Sequence, residues 1–149
     1  MKAASLSKVK GRITRSFFDS EKVLAATTRA ERRNLSRFGA YVRQTAKRSI
    51  RKRKRAAAPG SPPSSHSGAL RKRIFFQFDL NRRSVIVGPE RISSKLGDAP
   101  HALEEGGTSV IGSGPGKGRS ISIASRPFMR PAFEAELPNA PKLWADSVR

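Results

Sequence analysis

The fold divides at residues 59–71, which read Pro-Gly-Ser-Pro-Pro-Ser-Ser-His-Ser-Gly-Ala-Leu-Arg. Three prolines, two glycines and four serines within residues 59–68 exclude a helix and predict an extended connector, spanning about residues 56–70. So many prolines make the connector stiff, and we expect it to hold its ends apart. The chain before it has a helical, cationic pattern, and the chain after it has the pattern of strands. We therefore expect an α+β fold, in which a long N-terminal helix packs on a small antiparallel sheet of about four strands and a short C-terminal helix follows.

Residues 20–54 predict one long helix or two consecutive helices, since they contain no proline and are rich in helix formers. Asp19 or Ser20 can cap the start, and the spacing of Thr28 and Glu31 suits a capping box, so a break near residues 26–28 stays open. Gly39 lies inside this stretch, where glycine costs roughly 1 kcal/mol relative to alanine. We therefore expect a close packing contact at Gly39.

A β-hairpin is the clearest prediction for the second half. Residues 73–80 alternate and place Ile74, Phe76, Phe78 and Leu80 on one face, which we expect to be buried. Residues 81–83 form a short turn, and residues 84–88 return until proline ends the strand. Residues 119–124 predict a further strand that pairs with this hairpin.

The remaining stretches give weaker signals. Residues 99–107 predict a compact acidic turn, residues 109–111 a short strand and residues 112–118 a flexible loop. Residues 126–137 predict a turn that enters a short helix, with a proline in its first turn. We expect Pro138 and Pro141 to end that helix, and Trp144 and Val148 to anchor the tail.

Charge is the strongest bulk feature, with 31 Lys and Arg against 11 Asp and Glu, a net charge of +20. Residues 1–55 carry 18 basic and 3 acidic side chains, and residues 56–149 carry 13 and 8. We expect a basic, flexible arm at residues 1–19 and a single domain at residues 20–149. The positive electrostatic potential that this net charge produces attracts nucleic acid, an anionic membrane or an acidic protein surface. Our candidate electrostatic surface consists of Arg43, Lys47, Arg48, Arg51, Lys52, Arg53, Lys54 and Arg55.

The run Arg51–Arg55 allows three interpretations. It can be a solvated helix end, where cations suit the macrodipole, a contact for DNA phosphates, or a nuclear-import signal. The sequence alone leaves all three open.

Signals for catalysis and cofactors are weak, and we expect a protein that is not an enzyme and holds no cofactor. The chain has no cysteine, which excludes disulfides and thiolate metal sites. The glycine loop is not a P-loop, because Lys117 is followed by Gly118 and Ile111 stands where the first glycine should be. His101 lacks the second histidine of a zinc helix. No apolar run approaches the ~18 residues of a membrane span, so no membrane-spanning segment is expected.

Five stretches in order resemble a known family. After the basic helix come Pro59 to Arg71, then Val-Ile-Val-Gly-Pro at residues 85–89, Ala-Pro-His-Ala-Leu-Glu-Glu-Gly-Gly-Thr at residues 99–108, and Arg-Pro-Phe-Met-Arg-Pro-Ala at residues 126–132. Over roughly residues 20–137 the chain resembles the tail-completion or head–tail joining family of long-tailed phages, to which the minor tail protein Z family of lambda is similar.

The resemblance implies a structural virion protein with a long helix against an antiparallel sheet and a short C-terminal helix. It implies a ring at the neck or the head-proximal end of the tail, expected to be a hexamer, with twelve copies left open. The implied partners are other copies of the chain, the tail tube protein and the head-completion or connector proteins, with nonspecific contact to genome DNA as a further option. Our candidate interface residues are Glu104, Glu105, Phe128 and Met129, of which the glutamates would meet arginines of a neighbouring subunit and Phe128 and Met129 would be exposed.

The alternative is a sequence-nonspecific DNA- or RNA-binding protein, which the charge fits equally well. Against it, Phe76 and Phe78 share the predicted buried face, so the strands lack an exposed array of aromatic side chains for base stacking.

Overall fold

The computed structural model describes residues 19–90, 99–112, 114–145 and 147. Helix α1 spans Ser20–Ser49, and the Asp19 carboxylate caps it by accepting a hydrogen bond of 3.1 Å from the Lys22 N–H. The helix is unbroken near residues 26–28, where the Thr27 and Thr28 hydroxyls donate to carbonyls one turn back. The alternative of a single helix is therefore right, and the predicted basic arm lies outside the described residues, apart from Asp19.

Helix α1 is shorter than predicted at its C-terminus. It ends at Ser49, and Ile50 has an extended backbone with φ −78° and ψ 108°. Ile50 is buried in the core, and Arg51 forms a parallel bridge to Ser64. The prediction that the helix reaches residue 54 is wrong, because burial of Ile50 and the bridge at Arg51 require an extended chain.

The connector contains no helix over residues 59–68, as predicted, and it contacts other parts of the domain. The Ser65 N–H donates to the Arg51 carbonyl at 3.0 Å, and the Gly60 N–H donates to the Ser125 carbonyl at 2.8 Å. The connector therefore folds back onto the domain. These contacts do not join its two ends, so the expectation that it holds its ends apart stays a prediction. One helical turn, α2 at Ala69–Lys72, leads from it into the strands.

The predicted hairpin is confirmed. Strand β1 (Ile74–Asp79) pairs antiparallel with β2 (Ser84–Pro89). In the turn, the Asp79 carboxylate accepts hydrogen bonds from two successive backbone N–H groups, at 2.9 and 3.1 Å. Ile74 is fully buried, whereas Leu80, at the far end of the predicted buried face, is exposed.

Helix α1 crosses the hairpin at Gly39. A Cβ atom at this position would lie 2.5 Å from Cγ2 of Val85 and 3.2 Å from Cδ2 of Phe76. The close contact expected at Gly39 is confirmed, because only a residue without a side chain lets the helix approach the strands this closely.

A second hairpin-like sheet lies apart from the first. Helix α3 (Ala99–Glu105) leads into strand β3 (Gly107–Val110), which pairs antiparallel with β4 (Ser120–Ile123). Two predictions are therefore wrong: residues 99–105 form a helix rather than a turn, and β4 pairs with β3 rather than with the first hairpin. The four strands form two sheets of two.

The C-terminal helices complete the fold. Helix α4 (Met129–Glu136) continues through a 3₁₀ turn (Leu137–Asn139) into helix α5 (Ala140–Trp144). Helix α4 ends at Glu136, two residues before Pro138, as predicted. The chain then continues in short helical elements, and Pro138 and Pro141 each lie in the first turn of one of them, where proline is well tolerated. Of the predicted tail anchors, Trp144 is 43% exposed and Val148 lies outside the described residues.

One core joins α1, the first hairpin and α4. It consists of Val42, Ala46, Ile50, Leu70, Ile74, Phe128 and Ala132. The α+β class is confirmed, with a long helix on an antiparallel hairpin and a short C-terminal helix.

Candidate functional site

The candidate site is a cationic surface at the end of helix α1. Residues 43–72 contain ten Lys and Arg side chains and no Asp or Glu. The ion pairs of the described residues lie elsewhere: Lys22–Asp19, Arg73–Glu90, Arg83–Glu31 and Arg130–Glu105. No carboxylate in the described part of the chain therefore neutralises this surface.

The basic segment, residues 51–55, is not a helix end: Arg51 bridges to Ser64, and the chain bends at residues 54–55. All five of its side chains are exposed. The helix macrodipole argument therefore applies to Lys47 and Arg48, which lie in the last turn of α1, and not to the segment itself. The run is exposed to solvent, but the interpretation that it forms the end of a helix is wrong, because α1 ends at Ser49.

Arg43 plays a structural part within this surface. It is half-buried, and its Nε donates a hydrogen bond of 2.8 Å to the Ile74 carbonyl at the start of β1. That contact ties α1 to the hairpin. Of the candidate electrostatic residues, Arg43 is thus the least available to an outside partner.

Lys47 is crowded by like charges. Its Nζ lies 5.9 Å from the centroid of the Phe75 ring, within reach of a cation–π interaction. The pKa of Lys47 is lowered from its ordinary value, first by burial and then by repulsion from Arg43 and Arg71. Arg71 was not among the residues selected from the sequence.

Two cavities lie beside the basic segment. The cationic pocket has a volume of about 370 Å³ and is lined by Lys47, Ile50, Lys52, Ser65, Ser67, Gly68, Arg71 and Lys72. The second cavity has about 310 Å³ and is lined by Arg48, Ser49, Arg51, Arg53 and the connector residues Ala57, Ser61, Pro62, Pro63 and Ser64. Alternate residues of the basic segment line different cavities, as the period of two in an extended chain requires.

Sequence reasoning found one wall of each cavity and missed the other. The basic run is visible in the sequence, but the serines and Arg71 of the opposite wall lie 10 to 20 residues after Arg51. They join the basic segment only because the Ser65 N–H bonds to the Arg51 carbonyl. Residues 43–72 contain no acidic residue. This pattern could have indicated that Arg71 and Lys72 belong to the candidate electrostatic surface.

The candidate interface residues are used within the chain itself. The Glu104 carboxylate accepts hydrogen bonds from the backbone N–H groups of Phe128 (2.8 Å), Met129 (3.0 Å) and Arg130 (2.8 Å). It therefore caps α4. Glu105 forms an ion pair of 3.2 Å with Arg130 of the same chain.

The expectation that Phe128 is exposed is wrong, because its side chain is 1% exposed and lies at the centre of the core. Met129 is partly buried against that core. Phe75 and Trp144, by contrast, are 50% and 43% exposed. Apolar surface for a partner is thus found on the hairpin and on α5 rather than at the start of α4.

Among residues 19–90, 99–112 and 114–145, no three His, Asp or Glu side chains are grouped so that they could hold a metal ion. The helices within this part of the chain include none that is both long and apolar enough to cross a membrane.

Comparison with known proteins adds no relative: no family model, no curated protein and no solved structure matches the chain. The resemblance to the phage family therefore rests on the five sequence stretches alone. The structure shows where these stretches lie in the fold.

Proposed function

We propose that the chain is a structural virion protein of a tailed phage, which forms a ring at the neck or the head-proximal end of the tail. There it would complete the tail and join it to the head. The observation that carries this proposal is that three of the five resembling stretches meet at one joint. Glu104 of the stretch 99–108 accepts from backbone N–H groups of the stretch 126–132. Arg126 of that last stretch donates from Nε to the carbonyl of Ala57 at 2.9 Å, just before the stretch that begins at Pro59.

Backbone hydrogen bonds also connect these stretches, directly or through adjacent residues. The Gly60 N–H bonds to the Ser125 carbonyl at 2.8 Å, and the Arg126 N–H bonds to the Leu103 carbonyl at 2.7 Å. Residues 23 to 69 positions apart in the sequence thus form one hydrogen-bonded unit at the start of α4. A shared motif order is more informative when its members are in contact than when they are scattered over the surface.

Ring assembly accounts for the apolar surface that the domain leaves uncovered. Phe75, Ile86, Val110 and Trp144 all have more than two-fifths of their side chains exposed. Exposed large apolar residues in several places suit a subunit with neighbours on more than one side. A heterologous contact of this kind closes into a ring when its rotation closes.

A second candidate function, sequence-nonspecific binding of nucleic acid, is supported by the cationic surface. Ten basic and no acidic side chains over residues 43–72 provide the unneutralised charge that phosphates attract. The two candidates are compatible, since a ring at the neck surrounds the path of the genome.

The first experiment is the mass of the purified protein, measured by native mass spectrometry or light scattering, with and without isolated phage tail tubes. Six copies of the 16.3 kDa chain would weigh about 98 kDa. We expect a closed ring, or a monomer that becomes a ring on the tubes. The mass is measured again at about 0.5 M salt, where clusters bridged by polyanions dissociate and an apolar interface persists.

A monomer that ignores the tubes but binds duplex DNA with a steep salt dependence would overturn the ring proposal. It would leave nucleic-acid binding as the function of the chain.

A further inference from the structure

We propose that the cationic pocket binds a backbone phosphate of nucleic acid. The inference rests on the second of the two proposed functions and gives it a defined site. Four cations reach the pocket from three parts of the chain: Lys47 from α1, Lys52 from the basic segment, and Arg71 and Lys72 from α2. In the part of the chain that the structure describes, no acidic side chain lines it.

Two serine hydroxyls add neutral donors to these cations. Oγ of Ser65 accepts a hydrogen bond from the Gly68 N–H at 2.9 Å, and Oγ of Ser67 accepts one from the Ala69 N–H at 3.2 Å. A hydroxyl that already accepts still has its own proton to donate. The described residues offer no acceptor for either proton, and Ser65 is itself buried, so an oxygen atom entering the pocket would be the partner.

Without a bound anion, the cations that line the pocket repel one another. Lys47 is repelled by Arg43 and Arg71, and burial removes part of its hydration. An anion within the pocket would reverse both effects, since it attracts all four cations at once and replaces lost water contacts. Charge-assisted hydrogen bonds from lysine and arginine to phosphate are the interaction that best fits this set of donors.

The second cavity favours a polymeric phosphate over a single ion. Arg48, Arg51 and Arg53 line it, and the basic segment separates it from the cationic pocket. Two cation-lined cavities that share the basic segment suit a ligand with repeated negative charges. A nucleic-acid backbone carries such charges and needs no base contact to bind here, which makes the recognition blind to sequence.

The test measures binding of a short fluorescent DNA duplex by anisotropy over a range of salt concentrations. The variant Lys52→Gln with Arg71→Gln removes two exposed cations from the pocket. The matched control, Arg29→Gln with Arg32→Gln, removes two exposed cations from the other half of α1. Both variants lose the same net charge, and thermal unfolding followed by circular dichroism checks that both remain folded.

We expect the pocket variant to lower the slope of log K against log salt by about 2, one unit for each lost phosphate contact, and the control to leave it almost unchanged. Ser67→Ala, which removes a hydroxyl and no charge, should weaken binding at least about threefold without changing the slope. Equal slopes for the pocket variant and its control, with wild-type binding intact, would overturn the pocket and leave nonspecific binding standing. No duplex binding by the wild-type protein at low salt would overturn both.

Discussion

The two small sheets of this protein have the same local architecture and very different surroundings. In the first, strands β1 and β2 lie against α1, Ile74 is fully buried and Val85 contacts the helix at Gly39. In the second, strands β3 and β4 contain no buried residue, and Val110 and Ile121 are 62% and 42% exposed. A two-stranded sheet is marginal in water without a packed face. Strand pairing alone therefore does not decide which sheet stabilises the domain.

The second sheet is joined to the rest of the domain at one end rather than through its face. Just past β4, the Ser125 carbonyl accepts from the Gly60 N–H at 2.8 Å, whereas at the other end the bond of 3.0 Å from the Ile111 N–H to the Arg119 carbonyl only joins the two strands to each other. The core belongs to α1, the first hairpin and α4. This difference leads to three predictions about where the free energy of unfolding is located.

The largest effect is expected for Phe128→Ala. Phe128 is 1% exposed, and removal of a buried phenylalanine costs about 3–5 kcal/mol through lost burial and the cavity that remains. The matched control is Phe133→Ala in helix α4, which begins directly after Phe128; the Phe133 ring is 45% exposed and meets Phe38 edge-on at 5.8 Å. The control should cost about 1 kcal/mol. Urea unfolding measures both changes, and similar losses for the two variants would contradict the position of the core.

An intermediate effect is expected for Glu104→Gln. The carboxylate accepts three backbone N–H groups, and a glutamine amide can offer only one oxygen, so at least one N–H at the start of α4 loses its partner. We expect a loss of about 1–3 kcal/mol in the free energy of unfolding.

Glu105→Gln is the control for that variant. Its carboxylate pairs with the Arg130 side chain at the surface, where such pairs contribute at most about 1 kcal/mol. If Glu105→Gln cost as much as Glu104→Gln in the same urea titration, the cap would not be what joins the second sheet's helix to the core.

The parts of the fold that depend on local pattern could be predicted from the sequence. The alternation from Ile74 to Phe78 predicts β1, and the absence of proline after Ser20 predicts α1. The glycine inside α1 even predicts a close approach, which the structure places at Val85. These features are determined by the backbone and by side chains a few residues apart.

The parts that depend on distant partners could not be predicted. Nothing near β4 in the sequence says whether it pairs with β3 or with the hairpin, and the end of α1 depends on a bridge from Arg51 to Ser64. The candidate site follows the same rule. The positive charge of the basic segment can be recognised in the sequence. Its position beside Ser65 and Arg71 depends on the connector folding back, which the sequence does not indicate.

The smallest effect is expected on the second sheet, for Val110→Ser combined with Ile121→Ser. Because neither side chain is buried, with Val110 62% and Ile121 42% exposed, the free energy of unfolding should change by about 1 kcal/mol or less for the two substitutions together. Val42→Ser, a similar change in shape at a position 2% exposed, is the control and should cost several times more, since it also buries a hydroxyl. Urea unfolding of dilute protein measures both.

The same double variant tests whether the second sheet stays exposed to solvent or is covered by a second copy of the chain. If copies of the chain pack on β3 and β4, wild-type stability rises with protein concentration, because association stabilises the folded state by mass action. The serine substitutions would then remove the concentration dependence while leaving the stability of the dilute protein unchanged. A loss of several kcal/mol in dilute protein would instead mean that the sheet is packed within the monomer, and the contrast between the two sheets would be wrong. The second sheet is therefore the place where the stability of one copy and the assembly of several can be separated by a single pair of substitutions.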